Sequence, residues 1–174
     1  ATIQAPNPND YYKVLGFRVN STFGSASCPT GIDSNYIKAM FDNGYDIVTT
    51  KTRRSVHFAP NQMSNIVHVV AGKISPNHNF EELPSRTQTE FGDYKELTIV
   101  NSFGNNSLDP EYWIPDAKIA NANVPKGGLL ITSIVGTIQP GFSEHDYYKD
   151  FAHTAELAIE SGAKAIEINL SCPN

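Results

Sequence analysis

A few side chains in this sequence have the type and placement to do chemistry, and each also has a plainer reading. Cys172 stands before Pro173, just past the strand read from Ala165 to Leu170. An ordinary thiol has a pKa of about 8.5, so its thiolate is scarce at neutral pH unless the surroundings help; once formed, it can accept a proton. The plainer reading of a free cysteine is a small buried hydrophobe, and that suits Cys28, which is left without a role. Lys51 directly follows the β-branched stretch Asp46 to Thr50. A cation at the carboxyl end of a parallel strand can hold developing negative charge. Beside Arg53 and Arg54, it can equally be a solvated loop lysine. Asn101, Asn169 and Asn174 each offer a donor and an acceptor on one side chain, so each can pair with a polar ligand edge in one orientation. An Asx turn is the alternative for Asn101, and a strand-end bond to its own loop for Asn169.

Other chemistries find no support. The five histidines form no ligand pair, and His68 falls in an alternating apolar stretch where a structural or surface role suffices. The two cysteines make no CxxC or CxxH cluster, so neither a disulfide framework nor a metal site is expected. GxGxxG and Walker-type loops are absent. A net charge of -5 provides no basic footprint for nucleic acid. No apolar run approaches the roughly 20 residues that span a bilayer. The start, ATIQAPNPNDYYK, lacks the order of a signal peptide. With 40% hydrophobic and 18% charged residues, the expectation is a soluble cytoplasmic domain with reduced thiols.

The elements that must position these residues alternate. Val14 to Val19 reads as a first strand. Asp33 or Ser34 can cap a helix carrying Ile37, Met40 and Phe41, which should stop at Asn43-Gly44. Asp46 to Thr50 is a second strand. From about Thr52 to Lys126 the pattern loosens, apart from an alternating piece, Ile66 to Val70; so long an irregular insertion is more often functional than idle. Gly128 to Val135 has the look of a buried parallel strand. Ser143 and Asp146 form a capping box before a helix with Phe151, Ala155, Ala158 and Ile159 on one face. That helix ends at Ser161-Gly162, and a strand from Ala165 to Leu170 follows. Such alternation predicts a parallel sheet, without separating a doubly wound sheet from a barrel. A parallel strand so near the end of the sequence leaves an edge to be covered, by another chain or by more of a longer polypeptide.

The last stretch, AIEINLSCPN, resembles the strand ending of class 1 dihydroorotate dehydrogenases and the related dihydropyrimidine dehydrogenases. Three other stretches agree in order. FGSASCPTG at residues 23–31 is similar to the first flavin-contacting turn, TTKT at 49–52 to the family's TKS or TKT, and NSFG at 101–104 to the NSMG of the substrate loop. Asn174 and NSFG favour the dihydroorotate enzymes, whereas FGSASCPTG and TTKT lean towards the dihydropyrimidine enzymes. NSFGNNS departs from NSMGLPN at Asn105 to Ser107.

The resemblance implies an α/β fold, a (β/α)8 TIM barrel of which residues 1–174 supply about the first half, with a substrate-side insertion at about 52–126. It implies FMN as cofactor and oxidation of dihydroorotate to orotate in pyrimidine biosynthesis. Carried over by position, Ala26, Ser27, Lys51, Thr52 and Asn169 would meet the flavin. Lys51, Asn101, Ser102, Phe103, Gly104, Asn169 and Asn174 would bind substrate, and Cys172 would be the catalytic base, with Lys51 as the fixed cation. The FMN phosphate site of such barrels lies in loops after the last two strands, beyond this sequence. The partners implied are the carboxyl-terminal half of the barrel and a second copy in a homodimer of the complete protein. The rival readings are reduction of uracil by a dihydropyrimidine dehydrogenase-like enzyme, and a non-catalytic barrel remnant serving as a structural or binding module. A cysteine base is compatible with fumarate or a nicotinamide chain as electron acceptor and less so with membrane quinone.

Overall fold

A computed structural model describes residues 11–63, 65–69, 85–86 and 98–170. In chain order the elements are β1 (Tyr12–Val14), β2 (Phe17–Val19), α1 (Ser34–Asp42), β3 (Ile47–Thr49), β4 (Ile66–Val69), β5 (Ser85–Arg86), β6 (Thr98–Asn101), α2 (Pro110–Ala122), β7 (Leu129–Ile134), α3 (Glu144–Glu160) and β8 (Ala165–Ile168). They fall into two compact units, Ala1–Ala59 with Asn105–Asn174, and Pro60–Gly104.

The larger unit is built on a parallel sheet in the order β3-β7-β8, with Ile47 beside Leu129 and Ile131 beside Ala165. Outside β3 runs the short segment around Gly24, where Ser25 N donates to Ile47 O at 3.0 Å. This segment is the first parallel element, not Val14 to Val19 as the sequence suggested. That run folds instead into the antiparallel hairpin β1-β2 around Leu15 and Gly16, at φ 50° and 85°. Two-residue hairpin turns with both central residues left-handed suit the strand twist, and a non-glycine residue there costs about 1 kcal/mol or more. The mixed α/β architecture and the parallel sheet are as expected. The sheet is open, and among the described residues it does not close into a barrel.

The two faces of the sheet pack differently. Val48 and Leu130 bury against Ile37, Met40 and Phe41 of α1 and Ala120 of α2. Ile47, Leu129, Ile131 and Ala165 face the hairpin residues Val14, Phe17 and Val19. The hairpin therefore covers the amino-terminal part of that second face and leaves its carboxyl-terminal part for other use.

Local signals explain the helices. Asp33 caps α1, its Oδ1 accepting from Asn35 N at 2.9 Å and Tyr36 N at 3.0 Å, and Gly44 at φ 91° ends it. Ser143 and Asp146 complete the capping box of α3 in both directions. Its buried face is rotated from the one expected. Asp150, Thr154 and Ala158 are buried while Ile159 is 63% exposed. The reason is polar. Asp150 accepts from Ser55 Oγ and Thr137 N, both at 2.7 Å, and ties α3 to the loops leaving β3 and β7. Helix α2 lies within the stretch read as irregular. It starts on Pro110, tolerates Pro115, and buries Trp113, Ile114, Ala117 and Ala120.

After Thr49 the edge of β3 carries one extra residue. Thr49 pairs with Ile131 and Arg53 with Ile134, so four steps on one strand meet three on the other. This is a β-bulge, which re-aims side chains locally. Lys51 N leaves the ladder to donate to Gly31 O at 2.8 Å. Gly31 must be glycine: a Cβ there would stand 2.6 Å from Thr49 O and 2.8 Å from Lys51 N. Both are backbone atoms and cannot swing aside. Gly31→Ala should therefore destabilise by about 1–3 kcal/mol or more, as overpacking does, and lower the urea midpoint of unfolding. An unchanged midpoint would mean that the bulge yields to a methyl group.

The smaller unit is an antiparallel sheet in the order β5-β4-β6, with Ile66 opposite Asn101 and Val69 opposite Thr98. The strand expected at Ile66 is present.

Candidate active site

Beyond the hairpin, the same face of the parallel sheet carries a chain of polar contacts. Thr52 Oγ1 is its hub. It lies 3.0 Å from Ser27 Oγ, 3.1 Å from Ser133 Oγ and 3.1 Å from Asn169 Nδ2. Ser133 Oγ in turn donates to Glu167 Oε1 at 2.7 Å. Thr52 and Ser133 are wholly buried, whereas Ser27, Glu167 and Asn169 are partly exposed. These groups come from the loop after the Gly24 segment, the bulge after β3, β7, and β8 with its extension. They meet because Ser133 pairs with Glu167 in register and the bulge brings Thr52 to the same face. Ala26, Ser27, Glu167, Ile168, Asn169 and Leu170 line an open depression of about 520 Å³ there.

A run of buried polar residues follows β3. Lys51 is only 7% exposed, Arg53 4% and Arg54 3%, so the solvated-loop reading of Lys51 does not hold. Lys51 Nζ donates to Asn105 Oδ1 at 3.4 Å. The two arginines act as anchors. Arg54 donates to Asn105 O, Gly136 O and Thr137 Oγ1, and its guanidinium stacks 3.9 Å above the Phe58 ring. Trp113 Nε1 donates to Arg54 O at 3.1 Å, which fastens α2 to the same loop. Arg53 Nη2 donates to Ile32 O at 2.6 Å. Burial lowers the Arg53 pKa from the ordinary arginine value, against Asp116 and Asp33, which raise it. Asp116 also accepts from Ser34 N and Oγ, joining α2 to the start of α1.

Of the residues singled out by sequence, Ser27, Thr52 and Asn169 meet directly, with Lys51 adjoining Thr52 in the chain and Ala26 on the exposed rim. Cys28 Sγ pairs with Thr30 Oγ1 at 3.0 Å. Asn101, Ser102, Phe103 and Gly104 belong to the smaller unit. There Asn101 ends β6, opposite Ile66. Ser102 Oγ accepts from Asn61 Nδ2 at 2.8 Å, Phe103 O accepts from Asn61 N, and Gly104 has φ 73°. Cys172 and Asn174 lie outside the described residues. Sequence reasoning missed Ser133, Glu167 and Asn105. The first two sit in strands where a hydroxyl or carboxyl gives no signal of its own, and only the register shows that they meet.

Buried polar groups thus gather at the carboxyl ends of the parallel strands of a mixed α/β protein, the end at which such folds commonly bind their ligands. No protein-family model matches the chain. A dihydroorotate dehydrogenase of Dictyostelium discoideum is 32% identical to it over 173 residues, covering 97% of this chain and 45% of that protein. The chain therefore resembles part of a dihydroorotate dehydrogenase along nearly all of its own length, and spans less than half the length of that relative.

Proposed function

We propose that this chain forms the substrate-side part of an FMN-dependent class 1 enzyme that oxidises dihydroorotate to orotate in pyrimidine biosynthesis. The barrel in this reading is a (β/α)8 barrel, the complete protein is a cytoplasmic homodimer, and the remaining strands come from a carboxyl-terminal half. The observation that carries the reading is the meeting of Ser27, Thr52 and Asn169 on one hydroxyl, next to the buried Lys51, on an open face at the strand ends. The similarity to the Dictyostelium enzyme supports dihydroorotate as the substrate in this reading.

These residues suit a flavin. A polar ring edge needs hydroxyl and amide partners held rigidly, and a ring that gains negative charge benefits from a fixed cation in a site shielded from water. Bound FMN would supply the hydride acceptor. In this assignment Ala26, Ser27, Thr52 and Asn169 hold the cofactor, and Lys51 provides positive charge. Asn169 and Asn174 would orient the imide and carboxylate of the substrate, and Cys172 would take the proton from C5.

The test is anaerobic mixing of the purified complete protein with dihydroorotate or dihydrouracil while the flavin absorbance is followed. Rapid bleaching by dihydroorotate and none by dihydrouracil is expected. Bleaching by dihydrouracil alone, or a protein that never takes up flavin, overturns the reading.

A further inference from the structure

We propose that Glu167, acting through Ser133, is a positioning residue that sets the direction of the hydrogen bonds around Thr52 and so decides which partner Ser27 can accept. The inference rests on the flavin-site reading above and deepens it.

The argument counts protons. A hydroxyl has one hydrogen to give and two lone pairs to receive with. Ser133 Oγ spends its hydrogen on Glu167 Oε1 at 2.7 Å. At its contact with Thr52 Oγ1, 3.1 Å away, Ser133 must therefore accept, and Thr52 must donate. Thr52 then has only lone pairs left. It accepts from Asn169 Nδ2 at 3.1 Å, which requires the amino end of that amide to face it. Its other lone pair meets Ser27 Oγ at 3.0 Å, so Ser27 must donate inwards. Thr52 is then saturated, with one bond given and two received.

The consequence falls on Ser27, which lines the open depression. Its hydrogen is used on Thr52, so towards a ligand it has lone pairs only. The site is thereby matched to a ring N–H at this position and set against a ring carbonyl. A carboxyl group thus orients a hydroxyl that it does not touch. Such a chain is cooperative in a low-dielectric site, and removing its acceptor end frees every hydroxyl in it to turn.

The test compares Glu167→Leu, Glu167→Gln and Ser133→Ala in the complete protein, with FMN itself as the probe. Flavin fluorescence titration gives affinity, and the flavin absorbance bands report hydrogen bonding at the ring. Glu167→Leu and Ser133→Ala should each weaken FMN about three- to tenfold, near the effect of one hydrogen bond, and shift the bands alike. Their double variant should be no worse than either alone, since both break the same chain. Glu167→Gln keeps an acceptor oxygen and should restore the native affinity and spectrum, which a general packing defect would not allow. Native affinity and bands in Glu167→Leu, or losses that add in the double variant, would overturn the proton chain while leaving the flavin site standing. A complete protein that binds no FMN before any substitution would overturn both.

Discussion

Lys51→Ala in the complete protein is expected to slow reduction of the bound flavin by about 10²–10³-fold, a larger effect than its loss of substrate affinity. Lys51 sits on the β-bulge after β3, its backbone N–H held by Gly31 O and its side chain only 7% exposed. A charge held away from water acts more strongly than a surface charge and needs no reorganisation as negative charge builds on the acceptor. Uniform binding of substrate and transition state would instead appear as a change in substrate affinity at constant rate. Lys51→Ala also leaves Asn105 Oδ1 without this donor, which adds a stability cost of about 1 kcal/mol, so unfolding should be followed in parallel. Lys51→Arg is a useful companion. It keeps the charge but replaces a compact ammonium with a wide planar group, and should recover the rate only in part. Stopped-flow bleaching of the flavin by dihydroorotate is the measurement, and an unchanged rate in Lys51→Ala would refute the role.

The parts of the fold that the sequence made legible are those where one face is uniformly apolar or an end is capped. Gly128 to Val135 showed its strand because both faces of β7 are buried, and α1 and α3 showed their starts through Asp33 and Ser143. The hairpin was hidden because its turn uses Leu15, a residue with no turn signal, in a left-handed conformation. The Gly24 segment is a single parallel bridge and too short for periodicity to show. Helix α2 was masked by Pro110 and Pro115 and by small alanines at two of its buried positions. The face of α3 was misplaced because its buried side includes Asp150 and Thr154, which are buried for their hydrogen bonds.

The candidate site follows the same logic. Asn169 and Lys51 could be picked out by type and by the NLSCPN and TTKT motifs. Ser133 lies within the otherwise apolar run of β7 and Glu167 between two isoleucines of β8, so neither carries a local signal of a site. What joins them is a parallel register and a bulge that shifts one strand by a residue, and neither is written in local sequence. Asn105, at a position where the chain departs from the NSMGLPN pattern, proved to be the residue beside Lys51. A departure from a motif was here a pointer to a contact.

Cys172→Ser is expected to retain fold and flavin while reduction by dihydroorotate slows by about 10²–10⁴-fold near neutral pH, the usual contribution of a positioned base. The argument is one of proton affinity. The base must take a proton from carbon, and a thiol with an ordinary pKa of about 8.5 supplies some thiolate near neutrality, more where its surroundings favour the anion. A serine hydroxyl is a far weaker acid, so its conjugate base is scarce without a partner to remove the proton. The native rate should accordingly rise with pH through the ionisation of the thiol and then level off. The residual rate of Cys172→Ser should keep climbing into the alkaline range. Cys28→Ser is the control. Cys28 pairs with the Thr30 hydroxyl, a contact serine can preserve, so that variant should leave the rate and its pH profile unchanged. Iodoacetamide adds an independent check: the rate of inactivation should follow the same ionisation as native turnover, and bound orotate should protect Cys172 but not Cys28. A Cys172→Ser enzyme with the native rate at neutral pH, together with loss of activity in Cys28→Ser, would reverse the assignment of the two cysteines.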